Sequence, residues 1–138
     1  MAATGGNFQD NQQRATALLE RFTTRRLGHF INGEQVAGLA DKTFTNYAPE
    51  DNRSLGEVAA GDARDVDAAA TAARAAFPAW RDFGGEERKK LLHKIADLIV
   101  ARREEIALVE SVDTGQPIRF MSQAALRGAE NFRFFADR

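Results

Sequence analysis

The chain has 138 residues, room for one domain that would bury roughly two-thirds of its unfolded surface. Hydrophobic residues make up 43% and charged residues 28%, a globular mix rather than a disordered one. Nineteen Lys and Arg against 20 Asp and Glu leave a formal charge of -1, and cysteine is absent. That excludes a broad basic field for nucleic acid or a polybasic membrane contact, and within these residues disulfides, thiolate metal sites and a cysteine nucleophile.

The first residues show no basic stretch followed by an apolar one, so no secretory signal is read. The longest apolar run, 95–100, is broken by Asp97 and is too short to span a bilayer. The expectation is a soluble, cytoplasmic chain. Residues 8–26 predict a helix, because Ala15, Leu18, Leu19 and Phe22 recur at i, i+3, i+4, i+7. It carries no chemistry and reads as an extension docking through one apolar stripe.

From Gly28 the period changes. His29-Phe30-Ile31, Asn32-Gly33 and Glu34-Gln35-Val36 predict a β-hairpin, since Asn-Gly suits a type I′ turn with φ > 0 at both central positions. Residues 42–47 alternate polar and apolar as a half-buried strand would, and Leu55-Gly56-Glu57-Val58-Ala59 predicts another. A helix follows, capped by Asp62 or Asp65, with Val66, Ala69, Ala70, Ala73, Phe77 and Trp80 on one face. Pro78 is expected to end or kink it.

Gly84-Gly85 breaks the chain, and Glu86-Glu87 provides the acidic first turn that a helix dipole favours. The next helix carries Leu91, Leu92, Ile95, Leu98, Ile99, Ile106 and Val109; it is long enough to break near residues 102–104. Gly115 suits a left-handed cap and Pro117 prevents continuation. A last helix is predicted over 122–137, ending in Phe132, Phe134 and Phe135. Three aromatics so close to the end should not lie exposed on a finished domain, and no parallel β-α-β succession exists to bury the helix faces. The chain therefore reads as unfinished, its apolar helix surfaces meant for a sheet encoded elsewhere.

Tests for chemistry are largely negative. His29 and His93 are far apart in sequence without flanking ligands. Gly33 to Gly38 and Gly56 to Gly61 have G-x-x-x-x-G spacing but lack the following Lys-Ser/Thr, and no G-x-G-x-x-G occurs. Acidic pairs such as Glu86-Glu87 and Glu104-Glu105 read as solvated helix surface.

The order of features is more specific than any one of them. Phe30-Ile31-Asn32-Gly33-Glu34, Asn46-Tyr47-Ala48-Pro49 and Leu55-Gly56-Glu57-Val58-Ala59-Ala60-Gly61-Asp62 come in succession. They are followed by Asp65-Val66-Asp67, Ala75-Ala76-Phe77-Pro78-Ala79-Trp80, Glu87-Arg88-Lys89-Lys90-Leu91-Leu92, Ile95-Ala96-Asp97-Leu98-Ile99 and Asp113-Thr114-Gly115-Gln116-Pro117-Ile118. This series resembles the N-terminal portion of the NAD(P)-dependent aldehyde dehydrogenase family over about residues 28–138. Tyr47-Ala48-Pro49 departs from the family's usual Asn-Pro pair, and Gln116 from a common Lys.

The closing stretch from Leu126 to Asp137 is similar to the branch acting on hydroxymuconic and carboxymethyl-hydroxymuconic semialdehydes, intermediates of aromatic catabolism. In that branch an Arg at the position of Arg127 faces the substrate tunnel and can hold a carboxylate, which a planar guanidinium suits. The alternative is a solvated helix arginine. Asn131, one turn on, could support the same pocket or merely pack, and packing is the expectation. The family also implies a structural monovalent cation held by backbone carbonyls, here at Asn46 and Asp113.

The resemblance implies an α/β parent with the aldehyde dehydrogenase fold. This chain would be its mostly α-helical part, with an N-terminal β-hairpin and short strands: 1–27 a helical extension, 28–138 an incomplete N-terminal part of the coenzyme-binding domain. The parent would oxidise an aldehyde to an acid with NAD or NADP, through a cysteine thiolate, an activating glutamate and an oxyanion hole. No catalytic or cofactor-binding residue of that set falls within this chain, so alone it is expected to be inactive and to bind no cofactor. Its partners would be the remainder of the enzyme and further copies of it, with no nucleic acid and no membrane. The rival readings are a non-enzymatic helical interaction module, binding through the faces around Phe77, Trp80 and Phe134, and a functionless truncated product.

Overall fold

The computed structural model describes residues 7–138; residues 1–6, the start of the expected 1–27 extension, lie outside them. The element order is α1 (Phe8–Thr23), β1 (His29–Ile31), β2 (Glu34–Val36), β3 (Thr43–Tyr47), β4 (Ser54–Ala59), α2 (Ala63–Asp82), α3 (Gly85–Ala101), α4 (Arg103–Thr114) and α5 (Ile118–Ala136). The chain is mostly α-helical, with two small antiparallel sheets, as the sequence predicts. These elements divide into two compact units.

The mixed unit comprises Arg21–Tyr47 and Arg53–Phe83. The Asn-Gly signal is met: Asn32 at φ 54 and Gly33 at φ 81 close the β1–β2 hairpin, pairing His29 with Val36 and Ile31 with Glu34. β3 and β4 pair antiparallel, with a register shift at Asn46/Tyr47. α1 stops at Thr23 rather than at 26, because Leu27 is drawn into the sheet. Its N–H donates to the Glu57 carbonyl at 2.8 Å, and its carbonyl accepts from Ala59 N–H at 2.9 Å.

Two expectations need correction here. The apolar side chains of β3, Phe44 and Tyr47, are exposed, while Thr43 and Thr45 are half-buried; the strand's inward side is its polar one. α2 also runs through Pro78 to Asp82. Proline there deletes one N–H to the Arg74 carbonyl, which lies on an exposed stretch where water can satisfy it, so the loss does not break the helix. Asp62 is the N-cap of α2, as one of the two alternatives expected, and Asp65 at N3 completes a capping box with it.

The helical unit comprises residues 7–20, Ala48–Asn52 and Gly84–Arg138. The expected break of the long helix falls at Arg102, with φ -105 and ψ 14 separating α3 from α4. Gly115 adopts the left-handed cap at φ 72, its N–H donating to Ser111 O. α5 begins at Ile118, one turn before the predicted 122. Pro117 cannot continue α4 but opens α5 directly, its carbonyl accepting from Phe120 N–H at 2.8 Å.

The core of this unit is small-residue seams. Ala96 of α3 and Ala129 of α5 are each 0% exposed, joined by Ala107, Leu108 and Ala125 and by Ala15 and Leu19 of α1. Alanine at such positions lets helices approach closely. Ion pairs fix the seam edges: Arg133 to Asp97 at 2.8 Å between α5 and α3, and Arg14 to Glu104 at 2.7 Å between α1 and α4. No described large side chain is fully buried.

Candidate functional site

Arg127 lies exposed on α5, with no hydrogen bond or ion pair to the described residues. Helical spacing puts Phe120, Arg127, Asn131 and Phe134 on one stripe, opposite Ala125, Ala129 and Ala136, which are buried. Asn131 is exposed, so the expectation that it packs is not met. The neighbouring acid Glu130 is engaged elsewhere, accepting from Arg133 at 2.7 Å. Arg133 in turn bonds Asp97, and its guanidinium is held more firmly protonated by those two carboxylates, Asp97 first. α5 therefore spends one arginine on anchoring itself and presents the other on an aromatic-flanked outer stripe: Phe120 is 50% and Phe134 52% exposed. A free guanidinium beside aromatic faces can take a planar carboxylate bidentately.

The two residues expected to offer backbone carbonyls to a cation sit in regular structure. Asn46 is in β3, opposite Gly56, next to the register shift. Asp113 is in the last turn of α4, before the Gly115 cap. Among the described residues no three His, Asp or Glu side chains gather as a metal-ligand set. The Asp113-Thr114-Gly115 turn borders an open cleft of about 630 Å3 in the helical unit, lined by Phe8, Pro49, Leu108, Gln116 and Ile118 among others. The turn is braced by Thr114 Oγ1 donating to Glu110 O and Ser111 Oγ to Gln116 O, each at 2.7 Å.

The glycines of the two G-x-x-x-x-G stretches each have a packing reason. Gly33 supplies the hairpin turn. A Cβ on Gly56, at φ 117, would lie 2.6 Å from Phe22 O. Gly38 and Gly61 both lie against the His29 ring, where a Cβ would stand 3.3 Å from Nε2 and 3.1 Å from Cε1. These contacts give each of the four glycines a packing or turn reason.

The sequence alone did not reveal two side-chain groupings. Asp65, 5% exposed, accepts from Asp62 N–H at 2.8 Å and Leu39 N–H at 2.9 Å, and these donors, Asp62 first, hold its carboxyl below the usual range. On the α3–α5 seam, Asp137 meets His93 Nε2 and Lys89 Nζ, each at 3.0 Å, and these partners, His93 first, hold its carboxyl low. Only the Asp62-x-x-Asp65 spacing gave a forewarning of the first.

With that geometry in view, the comparisons with known proteins are decisive at the family level. The family described as "Aldehyde dehydrogenase family" matches residues 36–138. The chain belongs to the aldehyde dehydrogenase family. Over 115 residues it is 38% identical to the 2-hydroxymuconic semialdehyde dehydrogenase of Pseudomonas sp. (strain CF600), covering 82% of this chain and 24% of that protein. The crystal structure of HpcC from Thermus thermophilus superposes with a TM-score of 0.87 at 38% identity, covering 91% of this chain and 24% of that one. The NAD+ complex of an aldehyde dehydrogenase from Bacillus cereus gives 0.81 at 37%, covering 86% and 25%. The chain thus spans about a quarter of the length of the relatives it matches. No described helix is long and apolar enough to cross a membrane.

Proposed function

We propose that this chain is the N-terminal quarter of an NAD(P)-dependent aldehyde dehydrogenase. The enzyme oxidises a carboxylate-bearing, muconic-type semialdehyde to the acid in the cytoplasm, in aromatic catabolism. Residues 1–27 are a helical extension and 28–138 the first part of the coenzyme-binding domain; the rest of the enzyme and further copies of it are the partners. NAD or NADP supplies the hydride acceptor, held by residues other than those described. The 138-residue chain alone turns over no aldehyde, and a rate above a buffer control in a purified sample overturns that part of the reading.

The observation carrying the substrate class is Arg127: without an acidic partner, and set between Phe120 and Phe134 on the outer stripe of α5. Its role is to hold the substrate's carboxylate while the aldehyde reacts elsewhere. In the complete enzyme, Arg127→Ala lowers kcat/KM for a carboxylate-bearing semialdehyde by about 1.5–3 kcal/mol, the range of a charge-assisted hydrogen bond, and spares a neutral aldehyde of similar size. Equal losses on both substrates overturn the assignment. The carbonyls of Asn46 and Asp113 are assigned to a structural monovalent cation on the family resemblance. Melting of the complete enzyme is then higher in potassium or sodium than in choline chloride at equal ionic strength, and identical melting removes that assignment.

A further inference from the structure

His29 has no part in the reading above, and its surroundings are unusual. It opens β1, its Nε2 is buried, and that atom has no hydrogen-bond partner. The nearest charged atom is Asp65 Oδ2 on α2, 3.9 Å away. The backbones at Gly38 and Gly61 flank the ring so closely that no side chain larger than glycine fits there without displacing something. Opposite His29 on β2 stands Val36, and Ala59 of β4 lies beside Gly38; neither titrates. The N-cap acid Asp62, just before α2, is bound by the Arg64 guanidinium at 2.7 Å, so Asp65 is the charge the imidazole faces.

We propose that His29 is a proton-operated latch between the β1–β2 hairpin and the N-terminus of α2: a proton taken from solvent turns the ring into an imidazolium, whose Nε2–H donates to Asp65 Oδ2. The neutral ring either sets a lone pair against the carboxylate or offers an uncharged donor that stops short of it. Asp65 is fitted to be the fixed half. Its carboxylate is held ionised by the Asp62 and Leu39 N–H donors, so across the range in which histidine titrates only the ring changes charge. The bond closes as pH falls and opens as pH rises, and it joins the hairpin to the capping box that starts α2.

Amide hydrogen exchange on the full chain tests this, with opening constants for residues 29–36 corrected for the intrinsic pH dependence of exchange. Between about pH 8 and about pH 5.5 the hairpin's opening constant is expected to fall about three- to tenfold in the native chain. It stays level in His29→Gln and falls as before in His93→Gln, which removes the other histidine. A native hairpin indifferent to pH, or an equal response in His29→Gln, overturns the proposal. Should His29→Gln fail to fold, the native chain decides through its imidazole resonances: a solvent-protected Nε2–H of His29 at the acid end supports the latch, and an unprotected one refutes it.

Discussion

The two units use the same small residues to opposite ends. In the helical unit, alanines at 96, 107, 125 and 129 are the core itself, and three helices meet on them. In the mixed unit, α2 is richer in alanine than any of those helices, yet its one buried residue is Asp65, and Val66 at 66% and Trp80 at 42% lie open on its apolar face. The same residue type makes a seam in one place and an uncovered surface in the other. An amphipathic helix is stabilised chiefly by what its apolar face meets, and for α2 the described residues of its unit leave that face open. The end of α5 behaves likewise, with Phe135 69% exposed.

This contrast sets where each unit breaks. The largest effect is expected in the mixed unit, at a glycine pressed against backbone. Gly56→Ala would place a Cβ 2.6 Å from Phe22 O at a φ of 117, and neither side is a flexible side chain that can yield. A loss of about 2–4 kcal/mol in urea unfolding follows, concentrated in the amide protection of β3 and β4. In the helical unit the corresponding blow is overpacking: Ala129→Leu costs about 1–3 kcal/mol, read as lost protection along α3 and α5 with the β1–β2 hairpin unchanged. Loss of protection shared evenly by all elements would erase the distinction between the units.

Smaller effects sharpen it. Asp65→Asn weakens both the cap of α2 and the tie to Leu39, and removes part of the acid sensitivity of the mixed unit. The sign follows from the depressed carboxyl: its contribution is complete above the unfolded aspartate's range and is lost as pH falls through the lower folded value. Acid titrations of the native chain and Asp65→Asn should therefore converge at the lowest pH and separate above it; curves that run parallel throughout would contradict this. The smallest change is expected at the surface pair Arg14–Glu104, both partners about half-exposed, where Arg14→Ala shifts stability by less than about 0.5 kcal/mol.

Local chemistry makes much of this legible in the sequence. Asn32-Gly33 specifies a turn that needs positive φ twice, Gly115 with Pro117 specifies a left-handed cap and a stop, and Asp62-x-x-Asp65 marks a helix start. What stays hidden depends on register and on neighbours. The alternation of residues 42–47 reads as a half-buried strand, but which side turns inward depends on neighbours, and Phe44 is exposed in the fold. Pro78 reads as an end or a kink; the helix does not end there, because an exposed helix can hand the orphaned carbonyl to water. His29 and Asp65 are remote in sequence and meet only because the hairpin folds against the start of α2. Arg127 is picked out by resemblance, and its freedom from acidic partners emerges only once Arg133 is seen to take both Asp97 and Glu130.

Trp80, the only tryptophan of the chain, sits at the far end of the uncovered α2 face, and quenching of its fluorescence by acrylamide in the folded 138-residue chain probes that surface directly. Ready collisional access, well above that of a buried indole though below that of the urea-unfolded chain, is the result expected of an apolar face that the described residues leave open. A blue-shifted indole shielded from acrylamide would mean the face is already buried, and would contradict the account.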